Sequence, residues 1–102
     1  RNVCDISIDQ TFILRTGTVM DHALANPIIF YLFDGAEQFL EVRDLNDQTI
    51  DKSYHPGMYY LHIKDCPEFV KDEYGMDVRP SGKLRITCGS YMIEIDFTYI
   101  KK

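Results

Sequence analysis

The fold class is decided by one long segment in which apolar and polar residues alternate: Leu84-Arg85-Ile86-Thr87-Cys88-Gly89-Ser90-Tyr91-Met92-Ile93-Glu94-Ile95-Asp96-Phe97-Thr98-Tyr99. Alternation on both sides of Gly89-Ser90 is typical of two β-strands joined by a tight turn. Glycine at the first turn position allows the positive φ of a type II′ turn. Because side chains alternate along a strand, the odd-numbered residues 91–99 share one face and the even-numbered residues share the other. We therefore predict a hairpin with one face in a core and one in water.

Working outward from this hairpin, other segments predict further strands. Ile28–Phe33 is apolar on both faces, which indicates a central strand, or a strand whose outer face meets a partner. A Pro-Gly turn precedes the alternating residues 58–64. Residues 19–25 have helical spacing but are too few for a stable helix, so we expect a loop or one helical turn. The remaining predicted strands are residues 4–15 and the hairpin of 39–43 with 48–51, while the segments 68–74 and 76–78 are each predicted as a short strand or a turn.

The chain has 102 residues, of which 45% are hydrophobic and 13% aromatic, so it can form one compact core. The spacing of strands and turns is that of sandwiches and barrels. We predict a single all-β domain over residues 1–102. Its fold would be an immunoglobulin-like or prealbumin-like antiparallel β-sandwich of about seven or eight strands.

The charge of the chain argues against two classes of partner. Eleven basic and 16 acidic residues give a net charge of −5, and the basic residues are scattered. Binding to nucleic acid or to an anionic membrane needs a clustered basic face. The longest apolar run, Ile28–Phe33, is too short to cross a membrane as a helix.

The three cysteines leave the redox compartment open. Cys4, Cys66 and Cys88 show no CxxC spacing, so neither a zinc ribbon nor a thioredoxin motif is present. One disulfide with one free thiol fits an exported domain, whereas three reduced thiols fit a cytosolic one. Cys88 is in phase with the inward residues of its strand. If it pairs with Cys66, the bond closes a loop of about 22 residues and contributes roughly 3 kcal/mol.

Two neighbouring motifs carry a resemblance to a known family. The first is the P-G-x-Y-x-L-x-I pattern within residues 54–63, and the second is the V-x-D-x-N-x-x-x-I pattern of residues 42–50. Together they resemble the prealbumin-like (transthyretin-like) sandwich modules of bacterial surface and secreted proteins. The resemblance covers residues 40–64, about a quarter of the chain, and implies an interaction module of the envelope or of a secreted protein.

The chain departs from this family in one respect. Surface-adhesin members often carry an isopeptide bond between a Lys in the first strand and an Asn near the last. Here the first Lys is Lys52 and no Asn follows Asn46, so the cross-link does not carry over. The resemblance therefore implies a module without chemistry of its own.

Candidate chemical sites are weak in this sequence. An oxygen-rich loop lacks the glycine and the final glutamate of an EF-hand, so we interpret it as a solvated hairpin loop. The three histidines have no metal-site spacing. Two outward carboxylates on one strand form a water-facing stripe rather than a hydrolase pair. We therefore predict no enzyme activity, no cofactor and no metal. The loop residues concerned are Asp44, Asn46, Asp47 and Asp51, and the two strand carboxylates are Glu94 and Asp96.

The aromatic residues favour recognition. The chain has seven Tyr and six Phe but no Trp, and tyrosine is frequent in binding surfaces because it is large, rigid and amphipathic. We predict a partner-binding surface from apolar residues on the outward phase of two strands. Its residues are Ile29, Tyr31, Phe33, Met58 and Tyr60.

These observations predict a non-catalytic protein-interaction or structural module of a secreted or cell-surface protein. The partner would be another protein or a neighbouring domain of a longer chain, with an edge strand such as 39–43 open to pairing with a second copy. Two alternatives stay open at this point. One is a carbohydrate- or small-ligand-binding domain, and the other is an intracellular adaptor or scaffold, for which the location is cytoplasmic rather than extracellular.

Overall fold

The computed structural model of the chain describes residues 3–8, 13–14 and 26–102. The predicted all-β class is confirmed: the described residues form antiparallel strands, with one three-residue 3-10 helix, η1 (Ala36–Gln38). The strands are β1 (Cys4–Ile6), β2 (Ile13–Leu14), β3 (Ile28–Phe33), β4 (Leu40–Asp44), β5 (Lys52–Ser53), β6 (Gly57–Ile63), β7 (Val70–Lys71), β8 (Asp77–Val78), β9 (Ser81–Cys88) and β10 (Tyr91–Lys101).

A five-stranded sheet in the order β1-β10-β9-β3-β5 forms the larger layer. Its centre is the predicted C-terminal hairpin, in which Cys88 pairs with Tyr91 across a two-residue turn. Gly89 has a φ of 61°, whereas Ser90 does not have positive φ, as a type II′ turn requires. The inward phase is also confirmed, since Phe97 and Tyr99 are buried and Glu94 and Asp96 are exposed.

A three-stranded sheet in the order β2-β6-β4 forms the second layer. The strap, residues 49–51, carries the chain from the edge of β4 to the edge of β3. The N–H of Ile50 donates to the carbonyl of Val42 at 2.9 Å, and the N–H of Phe30 donates to the carbonyl of Asp51 at 2.9 Å. The two sheets therefore curl into a half-barrel that the strap joins along one side.

The strap corrects part of the predicted hairpin of 39–43 with 48–51. Its first half is as predicted, because Arg43 and Thr49 form an antiparallel bridge. Beyond Ile50, however, the chain leaves β4, and Lys52–Ser53 pairs with Ile28 and Ile29 of β3 instead. The β4 edge is therefore partly covered by this chain.

The core lies between the inner faces of the two sheets. The rings of Phe30 on β3 and Tyr59 on β6 meet at 4.8 Å, and the ring of Phe39 meets that of Tyr99 at 5.9 Å. Leu61 is fully buried, as its inward phase predicts. Burial of these apolar side chains is the main force that holds the layers together.

The disulfide joins Cys4 to Cys66, with a Cα–Cα distance of 6.0 Å, and leaves Cys88 free and buried. The expected pairing of Cys66 with Cys88 is therefore wrong. Cys4 lies opposite Lys101 on β10, whereas Cys88 lies opposite Tyr91, at the other end of that strand. At about 3.3 Å per residue the two sites are roughly 30 Å apart. Cys66 cannot reach both, because a disulfide needs Cα atoms within about 7 Å.

The remaining predicted segments are residues 4–15, residues 19–25, and the short segments within 68–78. The prediction of one strand over 4–15 is wrong: β1 belongs to the larger sheet, residues 7–8 after it form a bend, and β2 belongs to the smaller sheet, while residues 9–12 and 15 lie outside the described residues. The predicted loop at 19–25 also lies outside them. The short strands β7 and β8 pair as an exposed hairpin, with Val70 opposite Val78.

The structure has a long axis, with extents of 51 × 26 × 19 Å. Among the described residues, no helix has the length and apolar character needed to cross a membrane.

Candidate interaction surface

The outer face of the larger sheet presents three rows of paired side chains across β3, β9 and β10. The register places Ile29 opposite Thr87, Tyr31 opposite Arg85, and Phe33 opposite Lys83. The next strand continues these rows with Met92, Glu94 and Asp96. Directly opposite side chains on one face of a sheet lie within contact distance. We call this face the interaction surface; its residues are Ile29, Tyr31, Phe33, Lys83, Arg85, Met92, Glu94 and Asp96.

On this surface the aromatic rings of β3 lie beside the cations of β9. The rings of Tyr31 and Phe33 are stacked, with centroids 5.6 Å apart and planes 15° from parallel. The guanidinium of Arg85 lies 4.9 Å from the Phe33 ring centroid and 5.9 Å from that of Tyr31. The ammonium of Lys83 lies 5.9 Å from the Phe33 ring. These distances suit cation–π attraction, which holds the two rings and the guanidinium as one unit.

Carboxylates on β10 complete the charge pattern. Arg85 contacts Glu94 twice, with its Nη2 at 2.7 Å and its Nε at 2.8 Å from Oε2. Lys83 lies 3.8 Å from Asp96. Both predicted outward carboxylates thus pair with cations, as expected for a water-facing polar stripe. Exposed pairs of this kind contribute at most about 1 kcal/mol each, so they orient the surface more than they stabilise it.

Apolar area remains open beside these pairs. Tyr31 is 54% exposed, Met92 is 53% exposed and Ile29 is 43% exposed. Tyr31 therefore offers an aromatic face to solvent beside the Arg85 guanidinium. Rigid aromatic and arginine side chains are the common anchors of protein interfaces, because they bury much area at low entropic cost.

The structure separates the five residues predicted to form one surface. Ile29, Tyr31 and Phe33 lie on the outer face of the larger sheet. Met58 and Tyr60 lie on β6, in the other sheet. Since the inner faces of β3 and β6 meet in the core, their outer faces point in opposite directions. The single predicted patch is therefore split, because the phase of each strand can be read from the sequence but the sheet that it joins cannot.

The outer side of β6 is a polar cluster rather than an apolar patch. The Tyr60 hydroxyl donates to the carboxylate of Asp47, and its ring lies edge-on to His62 with centroids 6.5 Å apart. The hydrogen bond to Asp47, with a smaller contribution from burial, raises the pKa of Tyr60. Here Tyr60 holds the β4 turn in place, which leaves less of its ring for a partner.

The oxygen-rich loop closes on its own backbone. The carboxylate of Asp44 accepts hydrogen bonds from the N–H of Asn46 at 2.8 Å and from the N–H of Gln48 at 3.0 Å. This is the turn chemistry expected of a hairpin loop. Within the described residues, no group of three His, Cys, Asp or Glu side chains is placed to hold a metal ion.

The sequence prediction missed the two cations of the interaction surface. Lys83 and Arg85 lie on the outward phase of the C-terminal hairpin, which the alternation shows. Their position over Tyr31 and Phe33 depends on the pairing of β3 with β9, whose partners are about 50 residues apart in the chain. No local pattern encodes that pairing.

Comparison of the chain with protein-family models, with curated proteins and with solved structures gave no match. The resemblance of residues 40–64 to prealbumin-like modules therefore stays a prediction.

Proposed function

We propose that this chain is a non-catalytic protein-interaction or structural module of a secreted or cell-surface protein. Its partner is another protein or a neighbouring domain of a longer chain. We also propose that its half-barrel is a variant of the immunoglobulin-like or prealbumin-like sandwich. Folds of this kind carry many functions, so the argument for binding comes from the surface and not from the fold.

The observation that carries the proposal is the cluster of Tyr31, Phe33 and Arg85 on the outer face of the larger sheet. Its rings and guanidinium lie together on an otherwise open sheet face, next to Ile29 and Met92. An exposed apolar patch with a polar border is characteristic of protein contact sites. Glu94 supplies that polar border through its pair with Arg85.

The disulfide supports the proposed location. Cys4–Cys66 joins the first strand to the end of β6, and stable disulfides form mainly in oxidising compartments outside the cytosol. The intracellular adaptor alternative needs these two cysteines to remain reduced. Mass spectrometry of the natively purified chain distinguishes the two locations by the presence or absence of the bond.

Site-specific photo-crosslinking tests the interaction surface. A photoreactive phenylalanine analogue at Tyr31 is expected to give a discrete protein adduct in extracts of the cells that make the chain. The same analogue at Tyr60, on the opposite sheet, is the matched control and is expected to give none. Adding Arg85→Glu, which removes the cation from the Tyr31 and Phe33 rings, should abolish the adduct while leaving the circular dichroism spectrum unchanged.

Two results would overturn the proposal. Equal adducts from Tyr31 and Tyr60 would mean that the crosslinks are non-specific, and an absence of adducts from Tyr31 would mean that the surface is not occupied. A glycan array separates the carbohydrate alternative: hits that Tyr31→Ala abolishes would replace a protein by a sugar as the ligand, because sugars stack on exposed aromatic faces.

A further inference from the structure

The edge of β3 beside the strap has free backbone groups at Leu32. In a β-strand the N–H and C=O of one residue point to the same side, and those of the next residue point to the opposite side. Since the N–H of Phe30 points to the strap, that of Leu32 points to the same side, away from β9. By Leu32 the strap has already crossed to β4. The strand register therefore gives this N–H no partner on β9 or on β5 within the part of the chain that the structure describes.

The edge of β4 has the same property at Leu40. The carbonyl of Val42 accepts from the strap, so the backbone groups of Leu40 face the same side. The neighbouring Phe39 carbonyl points the other way and accepts from the N–H of Lys64 at 2.8 Å. The N–H of Leu40 therefore points away from β6, its neighbour in the sheet.

These two edges, the strap and η1 border an open cleft of about 470 Å³. We call it the socket. Its apolar lining comes from Phe30, Leu32, Leu40, Val42 and Ile50. The η1 helix and the strap border two of its sides and the rest opens to solvent, so it suits an inserted side chain better than an added strand.

The lining of the socket carries more negative than positive charge. Glu37, Glu41 and Asp51 contribute carboxylates, and Lys64 contributes the one ammonium among the described lining residues. Lys64 already donates to the carbonyl of Glu37 at 3.2 Å. Glu41 is engaged by Thr49 and by Arg43, whose Nε lies 3.1 Å from its Oε2. The side chains of Glu37 and Asp51 have no such partner within the described residues.

We infer that the socket binds one lysine or arginine side chain of a protein partner. The aliphatic stem of either side chain can pack on the partly exposed side chains of Leu32 and Ile50, while its charged end donates to the carboxylates of Glu37 and Asp51 and to backbone carbonyls of the strand edges. Tyr31 borders both the socket and the interaction surface, so a partner on that surface is placed to insert the side chain. This inference rests on the proposed interaction function and names the chemistry of the partner.

An NMR titration with two blocked peptides tests the socket directly. The probe is Gly-Leu-Arg-Leu-Gly, and its control is the uncharged Gly-Leu-Gln-Leu-Gly. The arginine peptide is expected to shift the amide signals of Leu32, Leu40 and residues 49–51 with a Kd of about 1 mM, the range of weak single-site binding. The glutamine peptide is expected to shift them at least about tenfold more weakly, since it lacks the charge that the carboxylates attract.

A charge-removal variant shows whether the carboxylates are responsible. Glu37→Gln with Asp51→Asn should weaken binding of the arginine peptide by about tenfold. Glu68→Gln with Glu73→Gln is the matched control, because it changes the net charge equally at exposed positions that do not line the socket. The control should bind the peptide like the unmodified chain.

Each contrary outcome is distinct. Equal binding of both peptides would overturn the inference. So would the absence of a shift at Leu32 and Leu40 when the arginine peptide is present at several times the expected Kd. Concentration-dependent shifts at these amides without peptide would identify a second copy as the occupant and would overturn it too. If the socket fails while crosslinking at Tyr31 succeeds, the proposed function stands and only the chemistry assigned to the partner is wrong.

Discussion

At the scale of the residue, Tyr99 shows how packing prevails over a polar group. Its side chain is 1% exposed and meets the rings of Phe39 and Phe97 edge-on. Its hydroxyl has no hydrogen-bond partner within the described residues. A buried hydroxyl without a partner costs about 1–3 kcal/mol, and burial of the aromatic ring offsets that cost.

Tyr99→Phe tests this cost and its dependence on pH. Burial, with a smaller contribution from Glu37, raises the pKa of Tyr99 to about 12. The folded state therefore keeps the phenol proton to a higher pH than the unfolded state does, so stability is lost as pH rises from about 10 to about 12. We expect Tyr99→Phe to be equally stable or up to about 1 kcal/mol more stable at pH 7, and its advantage to grow over that window. Urea unfolding at several pH values measures both; a constant difference would contradict the raised pKa.

At the scale of the element, η1 packs on the C-terminal hairpin through a glycine. A Cβ atom added to Gly82 of β9 would lie 2.8 Å from the Phe97 ring and 2.9 Å from the Cβ of Ala36. Glycine is needed here because backbone and ring approach too closely for a side chain. This contact positions the turn between β3 and β4, and with it the η1 side of the socket.

Gly82→Ala should therefore lower the free energy of unfolding by about 1–3 kcal/mol through overpacking. Gly57→Ala is the matched control, because a Cβ there meets nothing within 4 Å and the backbone needs no positive φ. The control should change stability by less than about 0.5 kcal/mol. Chemical denaturation of both variants makes the comparison, and equal effects would show that the close contact is relieved at no cost.

At the scale of the whole molecule, the disulfide connects the two sheets on the side opposite to the strap. Cys4 belongs to the far edge strand of the larger sheet, and Cys66 follows β6 of the smaller sheet. The bond spans 62 residues of chain. In the chain-entropy model a loop of this length contributes about 4 kcal/mol, a large share of the stability of a small domain.

Replacing Cys4 and Cys66 together by serine should lower the free energy of unfolding by about 4 kcal/mol. Reduction of the unmodified chain should have a similar effect, which controls for the serine side chains. Thiol titration of the oxidised chain should detect one thiol after denaturation and none before it, because Cys88 is buried and its burial raises the pKa of the thiol. Rapid native labelling of Cys88, or unchanged stability on reduction, would contradict this account.

Much of the local structure was predictable because it depends on short-range patterns. The turn at Gly89-Ser90, the inward phase of Tyr59 and Leu61, and the self-closing loop at Asp44 all follow from alternation or turn chemistry. The candidate surface was predictable only in part. The outward phase of Tyr31 was readable, but Arg85 joins it through a pairing of distant strands.

The sequence by itself thus determined the all-β class, most strand positions and the face on which each side chain lies, because a period of two residues is a local property. Only the tertiary structure decided that Cys4 is the partner of Cys66, that Met58 and Tyr60 lie away from Tyr31, and that the strap leaves an open socket beside Leu32. These features depend on which strands become neighbours. That choice is made by the burial of side chains distant in sequence, so no single segment of the chain contains it.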